Sequence, residues 1–176
     1  MTEISSVIFR FWEEYMLIGI MSDTHDNVPL TKKAIDLFNS KKVEFVIHAG
    51  DYTSPFTLKL FKELKCKYAG VFGNNDGDKL LLQDRAEGNL HNQPYIFKLH
   101  NKKIVVIHEH QVAEALADSG HFDLVIYGHT HMADVRKVGK ALLVNPGEVS
   151  TWLYGKSTVA LLDLEKMEAE IVELKS

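Results

Sequence analysis

Short apolar runs alternate with longer segments of helical spacing in the first half of the chain. The apolar runs predict β-strands over residues 16–21, 43–48 and 67–72. Between them, residues 29–40 and 55–64 carry apolar side chains three and four positions apart, which predicts two amphipathic helices. Pro29 and Pro55 suit the first turn of a helix, where a missing N–H costs nothing. The order strand, helix, strand, helix, strand predicts a right-handed parallel α/β unit.

The second half of the chain carries many strand patterns and a single helical one, over residues 111–119. The predicted strands are 95–99, 103–107, 123–127, 133–138, 141–145, 157–163 and 168–174. Because so little helix separates these strands, the pattern favours antiparallel meanders. No internal repeat or low-complexity tract divides the chain, so we expect one mixed α/β domain.

Residues 1–15 are predicted to form an N-terminal extension ahead of a domain that spans residues 16–176. Apolar side chains recur in the extension at helical spacing: Ile4, Val7, Ile8, Phe11, Trp12 and Tyr15. The segment lacks the basic start, long apolar core and cleavage site of a signal peptide. Because the domain pattern is complete from Met16, we interpret the extension as dispensable, with an amphipathic docking helix as the alternative.

Composition and charge narrow the class of protein. The chain has 176 residues, of which 45% are hydrophobic and 25% charged, as in one ordinary globular domain. No apolar stretch approaches the ~18 residues of a membrane span. A net charge of −4 argues against a protein held on nucleic acid by bulk electrostatics. We expect a cytoplasmic protein with neither a membrane nor a nucleic acid as a stable partner. The single cysteine, Cys66, excludes an internal disulfide.

Clusters of Asp, Asn and His follow five of the predicted strands, and they hold five of the nine histidines. The clusters are Ser22-Asp23-Thr24-His25, Gly50-Asp51, Gly73-Asn74-Asn75-Asp76, His108-Glu109-His110 and Gly128-His129-Thr130-His131. In open α/β sheets the carboxyl ends of the strands border the ligand crevice, so we expect these clusters to converge.

The residue types in these clusters favour a metal centre. Asp, Asn and His without Cys suit Mn, Fe, Zn, Ni or Co better than copper(I) or an iron–sulfur cluster. In extended backbone, residues i and i+2 point to the same side, so each D-x-H or H-x-H pair is expected to offer two ligands. The predicted ligands are Asp23, His25, Asp51, Asn74, His108, His129 and His131. They are too many for one ion and suit two ions about 3.5–4 Å apart, which together clamp the oxygens of a phosphoryl displacement.

In their order and spacing these motifs resemble the calcineurin-like metallophosphoesterase superfamily. The short chain and its Asn145-Pro146-Gly147 turn resemble the small YfcE-like phosphodiesterases of that superfamily. The resemblance extends from Met16 to the C-terminus. It implies a four-layer αββα sandwich, in which two packed mixed β-sheets are flanked by helices and the dinuclear site lies at the carboxyl ends of the strands.

The resemblance also implies a ligand set and an activity. One ion would be held by Asp23, His25, Asp51 and His131, and the other by Asp51, Asn74, His108 and His129. A hydroxide that bridges the two ions would attack phosphorus in line with the leaving alkoxide. The function implied is a metal-dependent phosphodiesterase acting on small or nucleotide-like phosphodiesters. Alternatives are a phosphomonoesterase with the same site and a non-catalytic metal-binding scaffold. The ions would be Mn²⁺ first, with Ni²⁺, Co²⁺, Zn²⁺ or Fe²⁺ as alternatives, and a homodimer is expected.

The sequence departs from the superfamily pattern at two positions. Many members have a histidine where this chain has Asn75, and an amide cannot act as a general acid. We therefore predict that His110, on the same side as His108, donates the proton, and that Asn74 is the second catalytic residue. Glu109 stands where relatives often have glycine, and we expect it at the surface.

Four further residues lie within or near these clusters in the sequence. Asp76 is predicted to orient Asn74 or His129 by a hydrogen bond. His48 is either such a supporting residue or a core histidine whose hydrogen bonds are satisfied. Trp152 and Tyr154 follow the Asn-Pro-Gly turn, and they either line a groove, form a dimer face or pack in the core.

Overall fold

The computed structural model describes residues 16–175, so the predicted N-terminal helix and extension lie outside the described residues. The elements, in chain order, are β1 (Leu17–Met21), α1 (Val28–Lys41), β2 (Phe45–His48), α2 (Leu58–Phe61), β3 (Lys67–Val71), α3 (Lys79–Arg85), β4 (Leu90–His91), β5 (Tyr95–Leu99), β6 (Lys102–Val106), α4 (Ala113–Asp118), β7 (Leu124–Ile126), β8 (Ala133–Val138), β9 (Ala141–Pro146), β10 (Thr158–Asp163) and β11 (Glu168–Glu173). Each predicted strand has its counterpart in this order.

Two β-sheets contain all of these strands. The first sheet has six strands in the order β11-β10-β1-β2-β3-β4, and the second has five in the order β5-β6-β7-β9-β8. β1 to β4 are parallel, as the first half of the sequence predicts, and β10 and β11 complete that sheet as antiparallel strands.

The prediction of antiparallel meanders for the second half is wrong at its centre. β6, β7 and β9 are parallel neighbours, and only the outer strands β5 and β8 run antiparallel to them. Helix α4 joins β6 to β7 as a crossover, which a parallel pair requires. Both faces of β7 and β9 are buried, the environment in which parallel strands occur.

Three apolar clusters lie between four layers. Ile20 of the first sheet and Ile126 of the second belong to the cluster between the sheets. On the outer face of the first sheet, the helices α1, α2 and α3 contribute side chains that include Phe38 and Leu82. Helix α4 covers the outer face of the second sheet through Ala117. This order of layers confirms the predicted αββα sandwich.

Helix ends follow local capping chemistry. The side chain of Asn27 accepts a hydrogen bond of 3.2 Å from the N–H of Leu30 and begins α1. The helix ends at Lys42, whose φ of 56° is left-handed. The helix predicted over 55–64 is shorter and covers only Leu58–Phe61. Helix α3 was not predicted. The side chain of Asp78 caps this helix by accepting a hydrogen bond from Leu81 N at 3.0 Å, and an Asp at this position was the sequence feature that could have indicated where the helix begins.

No helix within residues 16–175 is both long and apolar enough to cross a bilayer.

Candidate metal centre

The polar clusters after β1, β2, β3, β6 and β7 meet at one end of the sandwich. Main-chain hydrogen bonds join their loops, from Asp23 N to Gly50 O at 3.0 Å and from Gly128 N to His108 O at 3.1 Å. Because β1, β2 and β3 lie in one sheet and β6 and β7 in the other, the site is built from both sheets. The predicted convergence of the clusters is confirmed.

The backbone of these loops is not extended, so the prediction that residues i and i+2 point to the same side assumed the wrong backbone conformation. The cause is a run of left-handed residues: Asp23 at φ 53°, His25 at 40°, Asp51 at 63°, His129 at 68° and His131 at 61°. Such angles are uncommon for residues other than glycine and persist where surrounding structure enforces them. All five of these residues nevertheless contribute side chains to the candidate site.

One group of candidate ligands surrounds the first of two positions. The ligand atoms of Asp23, His25 and His131 all lie within 4.8 Å of one another. Asp23 Oδ1 is 3.2 Å from His131 Nε2 and 3.7 Å from His25 Nε2. The imidazole rings of His25 and His131 are stacked with centroids 5.2 Å apart. A carboxylate and two imidazoles thus face a common point.

A second group lies beside the first and shares with it the carboxylate of Asp23. The ligand atoms of Asp23, Asp51 and His108 also lie within 4.8 Å of one another. Asn74 Oδ1 is 2.8 Å from His108 Nε2 and 2.9 Å from His129 Nδ1. Asp51 Oδ2 lies 3.3 Å from His108 Nε2 and, on its other side, 3.5 Å from His25 Nε2. Asp51 therefore occupies the position between the groups that a bridging ligand would need.

The donor set fits divalent cations. Asp23 Oδ1 and His25 Nε2 are buried and have no hydrogen-bond partner among the described residues. Leaving a buried polar atom unpaired costs roughly 1–3 kcal/mol, and a cation would satisfy both atoms. Carboxylate, amide and imidazole donors suit manganese, iron, nickel, cobalt and zinc. The structure brings every predicted ligand together, while the role of each as a ligand stays a prediction.

Asp51 is held as a carboxylate by its neighbours. Burial raises its pKa, but hydrogen bonds from His108 and Asn75 outweigh burial and hold the pKa well below the usual range for Asp. Asn75 donates from its main-chain N–H to Oδ1 at 2.8 Å and from Nδ2 to Oδ2 at 2.7 Å. From the sequence, Asn75 was identifiable only as a residue that replaces the histidine found in many family members. In the structure it fixes both oxygens of the candidate bridging ligand.

Two glycines let the loops approach these carboxylates. A Cβ atom on Gly73 would collide with Asp51 Oδ1, and one on Gly128 would collide with Ser22 Oγ and lie 2.9 Å from Asp23 Oδ2. Any side chain at either position would displace a candidate ligand.

The rim of the site is formed by exposed residues. Asn74 is exposed and His129 is half-buried. The ring of His110 is also exposed and stacks on that of His129, with centroids 5.5 Å apart and planes 15° apart. His110 therefore stands at the edge of the second ligand group. Glu109 is exposed, as expected.

The prediction for Asp76 is wrong in its target. Its carboxylate accepts main-chain hydrogen bonds from Gly73 and Thr53, both at 2.7 Å, rather than bonding Asn74 or His129. Because Thr53 Oγ1 lies 3.1 Å from His25 Nδ1, Asp76 supports His25 through Thr53. Every residue except proline has a main-chain N–H group, so the spacing of residue types could not identify Gly73 and Thr53 as the partners of Asp76.

His48 is a core histidine with satisfied hydrogen bonds. Nδ1 accepts from the N–H of Gly50 at 3.1 Å, and Nε2 lies 3.2 Å from Thr24 Oγ1. The ring stacks on Tyr52 with centroids 3.8 Å apart. Both alternatives left open for His48 therefore hold: it is a buried histidine with satisfied hydrogen bonds, and those bonds support the loops that carry Asp23, His25 and Asp51.

Glu148 was missed by the sequence analysis. It is 1% exposed and accepts a hydrogen bond of 2.8 Å from Nδ1 of His131. Burial raises its pKa, but bonds from His131, Tyr154 and Ser150 outweigh burial, and the net pKa is lowered. The sequence did contain a signal for this residue. Glu148 is a charged residue within an otherwise largely apolar segment that forms β9 and continues past Gly147.

The aromatic residues after Glu148 are not in the core. Trp152 is 66% exposed and Tyr154 is 54% exposed, so the alternative of core packing is wrong. Trp152 Nε1 lies 3.5 Å from the main-chain oxygen of His25, which places the indole beside the metal-site loop.

A four-layer sandwich with Asp, Asn and His side chains gathered at the strand ends defines the class of metallophosphoesterases. Residues 16–167 match the calcineurin-like phosphoesterase superfamily domain, and the chain belongs to this family. The family predicted from the motifs is therefore confirmed, and the chain is identified as a metallophosphoesterase hydrolase.

Individual relatives agree with this membership. The chain is 41% identical over 166 residues to phosphodiesterase MJ0936 of Methanocaldococcus jannaschii, covering 91% of this chain and 100% of the relative. It is 24% identical to phosphodiesterase YfcE of Escherichia coli strain K12, covering 77% of this chain and 80% of the relative.

Solved structures share the fold. A structure described as a novel archaeal phosphodiesterase superposes with a TM-score of 0.84 at 40% identity, covering 90% of this chain and 100% of the other. Vps29 of Entamoeba histolytica, solved in complex with zinc, superposes with a TM-score of 0.68 at 22% identity, covering 91% of this chain and 100% of the other. At that identity the second comparison concerns the fold alone.

Proposed function

We propose that this chain is a metal-dependent phosphodiesterase that hydrolyses small or nucleotide-like phosphodiesters at a dinuclear centre. The observation that carries the proposal is the position of Asp51, between two groups of ligand atoms, beside the unpaired Asp23 Oδ1 and His25 Nε2. The names of the relatives MJ0936 and YfcE support phosphodiesters as the substrate class.

We propose that the ligands divide between two ions as the resemblance implies. One ion would be held by Asp23, His25, Asp51 and His131, and the other by Asp51, Asn74, His108 and His129. Two divalent ions bound there would lower the pKa of a water molecule and polarise the phosphoryl group. We propose Mn²⁺, and the donor set also suits Ni²⁺, Co²⁺, Zn²⁺ and Fe²⁺.

The protein's own residues would supply orientation and a proton. Asn75 keeps both oxygens of Asp51 in place, and Asn74 positions its amide oxygen between two imidazoles. His110 stands exposed at the rim, where its imidazole can protonate the departing alkoxide. We therefore assign His110 as the general acid and Asn74 as the second catalytic residue.

The partner we propose is a small phosphodiester substrate. Asn74 and His110 are both exposed, so a phosphodiester can reach the candidate ligands from solvent. A cytoplasmic location and a homodimer are part of the same proposal.

The test compares matched esters with metal-stripped protein. We expect Mn²⁺ to restore hydrolysis of bis(p-nitrophenyl) phosphate in preference to p-nitrophenyl phosphate. Asp51→Asn should lose this metal-dependent turnover, because it removes the charge shared by both ligand groups. Asp84→Asn, which alters an exposed carboxylate on α3, should keep it.

Other outcomes would change the assignment. Preference for the monoester would indicate a phosphomonoesterase with the same ligands. Bound ions without turnover of either ester, with Mn²⁺, Ni²⁺, Co²⁺ or Zn²⁺, would contradict catalysis and indicate a metal-binding scaffold.

A further inference from the structure

The buried carboxylate of Glu148 lies between a candidate metal ligand and an exposed turn. We call residues 151–154 the rim turn. Trp152, Leu153 and Tyr154 within it are all more than half exposed, at 66%, 63% and 54%. Three exposed apolar side chains beside a polar site form an unusual surface, and the structure shows what holds them there.

The two oxygens of Glu148 face different partners. Oε2 accepts from His131 Nδ1 at 2.8 Å and from Ser150 Oγ at 2.9 Å. Oε1 accepts from the main-chain N–H of Leu153 at 3.1 Å and from that of Tyr154 at 2.8 Å. One carboxylate thus satisfies a candidate ligand on one side and the backbone of the rim turn on the other.

This arrangement selects one tautomer of His131. A carboxylate can only accept hydrogen bonds, so the proton of the neutral ring lies on Nδ1. Nε2 then carries the lone pair that can bind a metal ion, and it lies 3.2 Å from Asp23 Oδ1, another candidate ligand atom. A partner of this kind both orients a ligating histidine and increases its basicity.

The rim turn also contacts the loop that follows β1. Trp152 Nε1 lies 3.5 Å from the main-chain oxygen of His25, and the N–H of Ser150, the residue directly before the turn, donates to the main-chain oxygen of Asp23 at 3.1 Å. The turn therefore contacts the loop that carries two candidate ligands, in addition to its link through Glu148 to a third.

We propose that Glu148 is a positioning residue that couples the rim turn to His131, so that metal loading and the placement of Trp152 change together. The inference rests on the proposed metal centre and deepens it by naming the residue that links the centre to its exposed surface. If the Glu148 carboxylate is removed, three hydrogen-bond donors lose the acceptor that they share: His131 Nδ1 and the main-chain N–H groups of Leu153 and Tyr154.

The first test follows metal binding and Trp152 in one titration. The chain has two tryptophans, Trp12 and Trp152, so a Trp12→Phe background leaves Trp152 as the only indole. Zn²⁺ is added to metal-stripped protein and followed by calorimetry and by Trp152 emission. We expect the emission to change at the calorimetric midpoint. In Glu148→Gln, the affinity for one ion should fall about 10–100-fold, and the emission should no longer follow binding.

The control and a second variant address charge and folding. Glu170→Gln removes the same charge from an exposed position on β11 and should leave the affinity and the emission change intact. Ser150→Ala removes one donor to the same oxygen of Glu148 and should cause a smaller loss of affinity with the same sign. If Glu148→Gln does not fold, an unchanged Ser150→Ala would overturn the proposal.

A spectroscopic readout tests the link without metal or activity. Long-range ¹H–¹⁵N correlation of the histidine rings should show His131 as the Nδ1–H tautomer in the metal-free protein, assigned by its loss in His131→Asn. Glu148→Gln should convert it to a mixture of tautomers. The same tautomer and the same Zn²⁺ affinity in both proteins would overturn the coupling alone. Failure of the unsubstituted protein to bind Zn²⁺ would overturn the metal centre and the coupling with it.

Discussion

At the scale of single residues, the candidate ligands are placed by close contacts that leave no room for larger side chains. Gly128 lies against Ser22 and Asp23, where a Cβ atom would collide with the serine hydroxyl. Asp23 in turn accepts hydrogen bonds from Ser22 Oγ at 2.6 Å and from the N–H of His129 at 3.2 Å. A displaced Asp23 would disturb both ligand groups, because its carboxylate belongs to each of them.

Gly128→Ala should therefore destabilise the protein by about 1–3 kcal/mol and weaken metal binding, since it forces an overpacked contact. Urea unfolding and calorimetric metal titration measure the two effects. Gly77→Ala is the matched control, because its Cβ would meet only Thr53 O at an ordinary 3.5 Å. Equal metal affinities in the two variants would contradict this account of Gly128.

Trp152 should contribute to the binding of a nucleoside group, because an exposed indole beside the site offers a stacking surface. Stacking of a base on an aromatic side chain contributes about 1–3 kcal/mol, so Trp152→Ala should raise KM about 5–150-fold for thymidine 5′-p-nitrophenyl phosphate. Methyl p-nitrophenyl phosphate has the same leaving group without the nucleoside, and its KM should not change. Trp152→Phe should restore most of the affinity. An equal rise in KM for both esters would argue against stacking.

The thiol of Cys66 should react slowly in the folded protein. Burial raises its pKa from 9.0 to about 11, so at about pH 8 its thiolate fraction is lower by roughly 100-fold. The rate of alkylation by iodoacetamide should keep rising with pH up to about 11 in the folded protein. In guanidinium chloride the rate should level off near pH 9. Identical pH profiles in the two states would show that burial does not control this thiol.

At the scale of elements, the strands were predictable and the pairing of the second half was not. Apolar runs such as the one in β9 mark a strand but do not say which neighbour it takes. Helix α4, which packs through Ala113 and Ala117, joins β6 to the parallel strand β7, and β9 lies parallel to β7 because β8 comes between them in the chain. The helical pattern over 111–119 was predicted, but a pattern of this kind does not show whether the helix crosses over between parallel strands.

The candidate site was predictable for a different reason. The candidate ligands come directly after strands, so their positions in the sequence were enough to place them at the strand ends. This held even though the loops are not extended, as had been assumed. Glu148 and Asp76 act through main-chain N–H groups and through residues far along the chain. Contacts of that kind depend on the folded arrangement of loops and have no fixed spacing in the sequence.

The cap of α1 should matter more than the cap of α3. Asn27 accepts from Leu30 N and also donates from Nδ2 to the main-chain oxygen of Ser150 at 2.9 Å, whereas Asp78 only caps its own helix. Asn27→Ala should cost about 1–2 kcal/mol of unfolding free energy, and Asp78→Ala about 0.5–1 kcal/mol. Urea denaturation gives both values, and a larger loss in Asp78→Ala would contradict this ranking.

At the scale of the whole molecule, the candidate centre joins the two sheets. Asp51 and Asn74 follow strands of the first sheet, and His108 and His129 follow strands of the second. A cation held by this group would therefore crosslink the layers at the end of the sandwich where the loops meet.

Metal loading should raise the melting temperature, because ions that bind only the folded state stabilise it. Free Mn²⁺ at a hundred times Kd should add about 2.7 kcal/mol for each site, and EDTA should remove the gain. Differential scanning calorimetry measures the shift. Asp51→Asn should show little or no shift, and a full shift in that variant would place the bound ions elsewhere.

The position of β10 has a consequence for how the chain is made. β1 is a central strand that pairs with β2 in parallel on one side and with β10 in antiparallel on the other, where Leu17 lies opposite Asp163. During synthesis, β1 leaves the ribosome long before its second neighbour exists, so one edge of the parallel core stays open until β10 and β11 emerge. Pairing between such distant segments is slow to form. Nascent chains that end before Thr158 should therefore expose β1 to chaperones and to aggregation.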